Sequence, residues 1–295
     1  MTDISKFRGT GVAVVTPFQP HNGEIDYEAF GKVIDFLIEG KVEYIVAIGT
    51  TGESPVISDT ERQEIIDFLA HKINQRIPLV VGIGGNNTAE VIKKIKNTRL
   101  TKVDALLSVC PYYNKPGQAG IIAHYKAVAE ASPLPVIMYN VPGRTSVNIT
   151  ADTTLHLAHT EKKIIGMKEA SGNMTQIMDI IRKKPENFLL ISGDDMLTLP
   201  IIAAGGDGII SVVANVCPRD FSEMVRHALA YRMKEAQQLH YKLFDLIIQL
   251  FADGSPAGVK AAMHIRGLIS NSLRLPLVPV NETVYKKLEQ LLAAL

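Results

Sequence analysis

The sequence predicts an α/β protein, a (β/α)8 TIM barrel with a C-terminal helical extension, and three observations carry that prediction. Eight short apolar runs rich in Val and Ile recur along the chain, each followed by Gly, Pro or Asn and then by helical periodicity. Most runs are continuously apolar, which suits strands covered on both faces in a parallel sheet. With 295 residues and 46% hydrophobic content, the chain can bury one large core, and barrels of this size are single domains. The runs are Gly11–Val15, Tyr44–Ile48, Leu79–Ile83, Ala105–Val109, Val136–Tyr139, Ile164–Met167, Phe188–Ile191 and Gly208–Val213. Between them, Ser58-Asp59-Thr60-Glu61 has the spacing of a capping box, and Asn87 precedes Glu90 by three residues, so helix starts are signalled locally. The barrel occupies residues 1–230 in this reading, and residues 231–295 form an extension of three amphipathic helices, Lys234–Phe251, Gly258–Ile269 and Thr283–Leu295. An open, doubly wound sheet is the alternative, but eight successive units suit closure better.

Composition narrows the function. The 31 basic and 30 acidic residues leave a net charge of +1, without the one-signed field that nucleic acid or an anionic membrane selects. No apolar run approaches the roughly 18 residues needed to cross a bilayer, and the N-terminus has no apolar signal core. Cys110 and Cys217 lack metal or redox spacing, which fits a reducing cytoplasm. His156 and His159 lie three apart on a predicted helix without a third ligand, so no metal is expected, and no phosphate-binding glycine loop points to a nucleotide cofactor. Gly205-Gly206-Asp207-Gly208 reads equally as an anion nest or as a tight connection.

Active sites of such barrels lie at the C-terminal ends of the strands, so the residue after each apolar run carries the information. These positions bring Gly49-Thr50-Thr51-Gly52-Glu53-Ser54, Cys110-Pro111-Tyr112-Tyr113-Asn114, Tyr139-Asn140-Val141-Pro142-Gly143-Arg144, Lys168-Glu169, Ser192-Gly193-Asp194-Asp195 and Asn215 to one rim. Lys168 ends a buried strand, where scarce water favours the neutral amine that attacks a carbonyl. Position alone better suits a lysine that snorkels to solvent. Its neighbours strengthen the catalytic reading: Tyr139, Tyr113 and Thr51 can form a hydroxyl relay for the protons of imine formation. Arg144, just beyond Pro142-Gly143, has the planar fork that holds a carboxylate in two places.

In these motifs the sequence resembles the dihydrodipicolinate synthases, members of the pyruvate-dependent class I aldolase superfamily that also contains the N-acetylneuraminate lyases. The resemblance spans essentially the whole chain, from Gly11-Val12-Ala13-Val14-Val15-Thr16-Pro17-Phe18 to Pro256-Ala257-Gly258-Val259-Lys260, and is densest at Gly49–Ser54, Pro111–Pro116, Tyr139–Thr145 and Gly166–Ala170. It implies a lyase of the diaminopimelate route to lysine that needs no cofactor and condenses pyruvate with L-aspartate 4-semialdehyde. In that picture Lys168 forms the imine with pyruvate, and Tyr139 relays protons with Thr51 and with Tyr113 of a second subunit. Thr50, Thr51, Gly193 and Ile210 surround the pyruvate, and Arg144 anchors the second substrate. A homo-oligomer follows, a dimer at least and a tetramer by family habit. The Gly-Thr-Thr-Gly-Glu motif and the presence of Arg144 favour the synthases over the sialic-acid lyases, since a carboxylate-bearing aldehyde profits from an arginine and a sugar does not.

The resemblance also implies a lysine-binding regulatory pocket at Ser54, Asn86, Glu90 and Tyr112. Asp59 and Arg62 stand where inhibited members often carry histidine, and a cation at Arg62 opposes cationic lysine, so weak or absent feedback is expected. Ser255, where Asn often precedes the proline, is a second departure without evident consequence. Two other readings remain beside this one: a pyruvate-dependent aldolase acting on a sugar acid, and a catalytically silent barrel. The latter would have lost Lys168 or the tyrosines, and all are present.

Overall fold

A computed structural model describes residues 3–295. Eight parallel strands, β1 (Gly9–Ala13), β2 (Tyr44–Ala47), β3 (Leu79–Gly82), β4 (Ala105–Val109), β5 (Val136–Asn140), β6 (Ile164–Glu169), β7 (Leu189–Ser192) and β8 (Gly208–Ser211), pair in sequence order, and β8 closes on β1 to complete a barrel. The helices are α1 (Tyr27–Glu39), α2 (Asp59–Ile73), α3 (Thr88–Asn97), α4 (Gln118–Ala131), the one-turn α5 (Pro142–Thr145), α6 (Ala151–Thr160), α7 (Met174–Lys183), α8 (Thr198–Ala203) and α9 (Pro218–Leu229). Three more follow: α10 (Met233–Phe251), α11 (Ala257–Ile265) and α12 (Glu282–Ala293). Among the described residues, no helix is long and apolar enough to cross a membrane.

Strand side chains alternate between two buried environments, which is why the runs read as continuously apolar. One set, including Tyr44, Val46, Ile137, Tyr139, Ile191 and Ile210, fills the barrel, while the other packs beneath the helices. Phe7 closes the lower end edge-on to Tyr44, with ring centres 5.7 Å apart. Ser58 and Glu61 form the reciprocal capping box that starts α2, and the Asn87 side chain caps α3. His159 lies on α6 with a ring nitrogen 3.2 Å from the Lys183 carbonyl, an ordinary inter-helix contact.

The structure moves several element ends, each for a visible reason. The first strand begins two residues earlier than its apolar run and stops at Ala13, because the Val15 N–H turns from β2 to the Asn215 side chain at 3.2 Å. The last strand stops at Ser211, since Val213–Asn215 folds into a 3-10 turn held by Asn215 Nδ2 on the carbonyls of Val212 and Ala13. At β6 the ladder runs on through Lys168 and Glu169, which pair with Tyr139 and Asn140 on one side and Ile191 and Ser192 on the other. Helix α11 ends at Ile265, short of the expected Ile269, because Gly267 takes a left-handed φ of 70° and Leu268 N–H bonds back to Met263. The Gly205–Gly208 segment lies at the opposite end of β8 from the mouth. There Asp207 accepts from Leu190 N–H and faces Arg8 and Lys184, so it is a structural connection.

Candidate active site

Lys168 sits inside β6 rather than beyond its end, opposite Tyr139 of β5 in the ladder. Its side chain is 5% exposed, and Nζ lies 4.4 Å from the centre of the Tyr139 ring. The amine has no hydrogen-bond or ion-pair partner among the described residues, an uncommon state for a lysine that water barely reaches. Gly193, just past β7, makes room for its stem: a Cβ there would stand 3.0 Å from Lys168 Cε, 3.1 Å from its Cγ and 2.8 Å from Ala170 Cβ. Ile210 of β8 belongs to the same interior cluster as Tyr139.

One residue further along the same strands, Asn140 and Glu169 form a buried polar joint. The Glu169 carboxylate accepts from Ser171 N–H at 2.6 Å, from Gln176 Nε2 at 3.1 Å and from Asn140 Nδ2 at 3.0 and 3.2 Å. Asn140 Oδ1 accepts from Ile149 N–H at 3.0 Å. Satisfied on every side, the joint is a rigid clamp that locks the register holding Tyr139 beside Lys168.

Sequence reasoning passed over Asp195. Its side chain is buried, accepts from Ser211 Oγ at 2.5 Å and Val212 N–H at 3.1 Å, and is close enough to Lys168 to sense its charge. Burial pushes its carboxyl up to about 6, against the opposing pull of the Ser211 and Val212 hydrogen bonds and of Lys168. The signal was the aspartate doublet after β7, which does not distinguish half-buried Asp194 from buried Asp195.

The turn after β2 brings up the hydroxyls. Glu53 N–H bonds to the Thr50 carbonyl at 3.1 Å and Ser54 N–H to that of Gly49 at 3.3 Å, while Glu53 itself is held left-handed at φ 56°. Thr51 is buried, and Thr50 faces a cavity of about 460 Å³. That cavity is also walled by Tyr139, Arg144, Ser54, Tyr112 and Arg62 over an apolar lining that includes Ile48, Ile83 and Leu107. Tyr139 thus walls the cavity while its ring meets the Lys168 amine. Arg144, exposed on α5, makes one contact, Nη2 to the Ser255 carbonyl at 3.2 Å, leaving most of its donors free. Because a main-chain oxygen makes that contact, the identity of residue 255 does not matter to it.

Within one chain the remaining expected residues spread out. Tyr113 is 88% exposed with φ 71° and does not enter its own barrel mouth. Asn86 and Glu90 are not part of the cavity wall that holds Ser54 and Tyr112. Arg62 is: 7% exposed, it donates to the Gly82 carbonyl at 3.2 Å and lies 3.8 Å from Asp59. Cys110 is buried under α4, and burial raises its thiol to about 12, which removes it as a nucleophile.

A closed (β/α)8 barrel with an unpaired buried lysine against a tyrosine ring at its C-terminal mouth has the layout of a lyase of the class I aldolase type. Residues 6–295 match the Dihydrodipicolinate synthetase family, and the chain belongs to that family. It is 50% identical over 286 residues to the 4-hydroxy-tetrahydrodipicolinate synthase of Flavobacterium psychrophilum, covering 97% of each chain. It is 47% identical over 295 residues to the enzyme of the same name from Parabacteroides distasonis, covering 100% of this chain and 99% of the relative. The chloride-inhibited dihydrodipicolinate synthase of Acinetobacter baumannii, solved in complex with pyruvate, superposes with a TM-score of 0.94 at 39% identity, covering 97% of this chain and 98% of that one.

Proposed function

We propose that this chain condenses pyruvate with L-aspartate 4-semialdehyde, as a 4-hydroxy-tetrahydrodipicolinate synthase, through an imine on Lys168. The observation that carries the proposal is the unpartnered Lys168 amine above the Tyr139 ring. In this reading the amine adds to the C2 carbonyl of pyruvate, the carbinolamine loses water, and loss of a C3 proton gives an enamine. The enamine carbon then attacks the aldehyde, whose oxygen takes up a proton; the substrate's own amino group adds to the C2 imine, and departure of the Lys168 amine closes the ring and frees the enzyme. Tyr139 supplies and removes these protons with Thr51, a role supported by its contact with the buried lysine and its place in the cavity wall. Thr50, Thr51, Gly193 and Ile210 bound the space for pyruvate, and Arg144 offers its free donors to the carboxylate of the aldehyde substrate. The pyruvate complex of the Acinetobacter baumannii relative supports the choice of donor.

Borohydride reduction with pyruvate, followed by peptide mass mapping, tests the proposal. An adduct on Lys168 is expected; no adduct, or one elsewhere, overturns it. Arg144 favours the aldehyde with a carboxylate, so cleavage of N-acetylneuraminate or 2-keto-3-deoxygluconate without condensation of the semialdehyde would replace that substrate with a sugar acid.

The working form is a homo-oligomer, at least a dimer, in which Tyr113 enters the partner's mouth. Tyr112 and Tyr113 are 41% and 88% exposed beside that mouth, the burial state of aromatics that complete an interface. A sedimentation profile of monomers with full activity would refute this. Ser54 and Tyr112 of the cavity wall belong to the regulatory pocket of this reading, to which the family resemblance adds Asn86 and Glu90. Arg62 in the same wall sets a fixed cation against the lysine side chain, so feedback is weak or absent. Half-inhibition by micromolar lysine in a steady-state assay would contradict it.

A further inference from the structure

A second buried lysine stands behind the threonine turn. Lys260 on α11 and Glu53 at the end of the Gly49–Ser54 turn form an ion pair in which both side chains are 0% exposed. The Lys260 ammonium also donates to the Ser272 carbonyl at 2.9 Å and lies 4.2 Å from the centre of the Phe18 ring. The other Glu53 oxygen accepts from Arg274 N–H at 3.1 Å. The Arg274 guanidinium covers the same ring at 4.4 Å and is fastened to Glu61 and to the carbonyls of Val56 and Gly23. Burial draws the ammonium of Lys260 down to about 8, with Glu53 holding it up and Arg274 pressing it further down.

We propose that the Lys260–Glu53 pair positions the Thr50–Thr51 turn for imine chemistry, so that the C-terminal extension is a working part of the active site rather than an appendage to a barrel ending at residue 230. This rests on the reading of Lys168 as the imine-forming residue. Lys260 is not itself a nucleophile, since its donors are engaged by Glu53, Ser272 and the Phe18 ring. Nor is a buried pair an efficient source of stability, because desolvating two charges consumes most of their attraction. What such a pair supplies is geometry. Glu53 is a non-glycine residue held at φ 56°, a strained conformation that persists only where its surroundings over-determine it. The pair, the Arg274 N–H and the hydrogen bond from Thr16 Oγ1 to the Gly52 carbonyl at 2.8 Å do so here. With Glu53 and Gly52 fixed from behind, the Thr50 and Thr51 side chains have one direction in which to face the mouth.

The test is the double variant Lys260→Met/Glu53→Gln, which leaves no unpaired charge and keeps an acceptor for Arg274. It is expected to fold, with a melting temperature near that of the parent, and to need on the order of 10- to 100-fold more pyruvate for half-maximal borohydride trapping at Lys168. Its loss should not add to that of Thr51→Val, since both changes act on the same turn. Glu53→Asp, which keeps the charge pair and withdraws the carboxylate by one methylene, is expected to shift half-saturation in the same direction and serves should the double variant fail to fold. Unchanged half-saturation in a folded variant, or losses that add fully to Thr51→Val, overturn the positioning role while trapping in the parent stands. Absence of any adduct in the parent removes the imine reading, and with it this one.

Discussion

Lys168 and Lys260 are the same side chain in nearly the same degree of burial, each against an aromatic ring, at 4.4 Å and 4.2 Å from its centre. Lys260 is satisfied in full, by a carboxylate, a carbonyl and the face of a phenylalanine. Lys168 has none of the first two, and its ring belongs to a tyrosine that also lines the cavity. Burial therefore does not mark a reactive amine. The number of donors already committed, and whether the neighbouring ring carries a hydroxyl, separate the lysine that builds from the lysine proposed to react. Exchanging their attributes should break that distinction in opposite ways.

The largest effect is expected at Lys168. Lys168→Met should lower turnover by about 10⁴-fold or more and abolish borohydride trapping, with a melting temperature unchanged or raised, because a poorly solvated, unpaired amine leaves the core. A variant with trapping intact would transfer the imine elsewhere. Lys260→Met should do the reverse. Stranding Glu53 without its cation costs about 3–5 kcal/mol, a fall in melting temperature on the order of 10 °C for a chain of this length, measured by calorimetry. A Lys260→Met protein as stable as the parent would show that the pair is dispensable.

Tyr139→Phe is the finer test, because it gives Lys168 the aromatic environment that Lys260 already has at Phe18. The ring stays under the amine and only the hydroxyl goes. Turnover is expected to fall about 10²- to 10³-fold while melting temperature stays within a few degrees, as for loss of a proton-transfer group. If single-turnover imine formation in Tyr139→Phe matches the parent, Tyr139 packs against the lysine and does not move its protons.

The same contrast explains what was legible beforehand. A parallel barrel covers both faces of every strand, so its strands appear as uninterrupted Val- and Ile-rich runs, and a rim residue such as Lys168 stands out at the end of one. Lys260 had no such contrast: within a run that reads as an amphipathic helix, a lysine is taken for the solvent face. In α11 the whole segment Ala257–Met263 is buried, and the partner that makes this tolerable, Glu53, is remote in sequence. Element ends shifted where side chains replaced backbone partners, as Asn215 does at Val15. The resemblance places Tyr113 across an interface, and its 88% exposure leaves it without a role inside one chain that a single sequence could signal.

The smallest expected effect lies at Asp195, a buried carboxylate that feels the first lysine and not the second. Burial raises its folded-state value from 3.8 to about 6, and Lys168, but not Lys260, is among the groups that hold it down. A carboxyl with a raised value binds its proton more tightly folded than unfolded. Its contribution to stability is therefore complete below about pH 3.8 and is lost as pH rises through about 6. Asp195→Asn, which cannot ionise, should remove that part of the pH dependence, so that parent and variant stabilities diverge by about 2 kcal/mol between pH 4 and pH 7. Denaturant unfolding at the two pH values measures it, and parallel curves would refute the assignment. The two lysines then separate once more. Lys168→Met should raise the Asp195 value further and widen the divergence, since it removes one of the groups that hold that value down, whereas Lys260→Met/Glu53→Gln, which strands no carboxylate, should leave the pH dependence as it is.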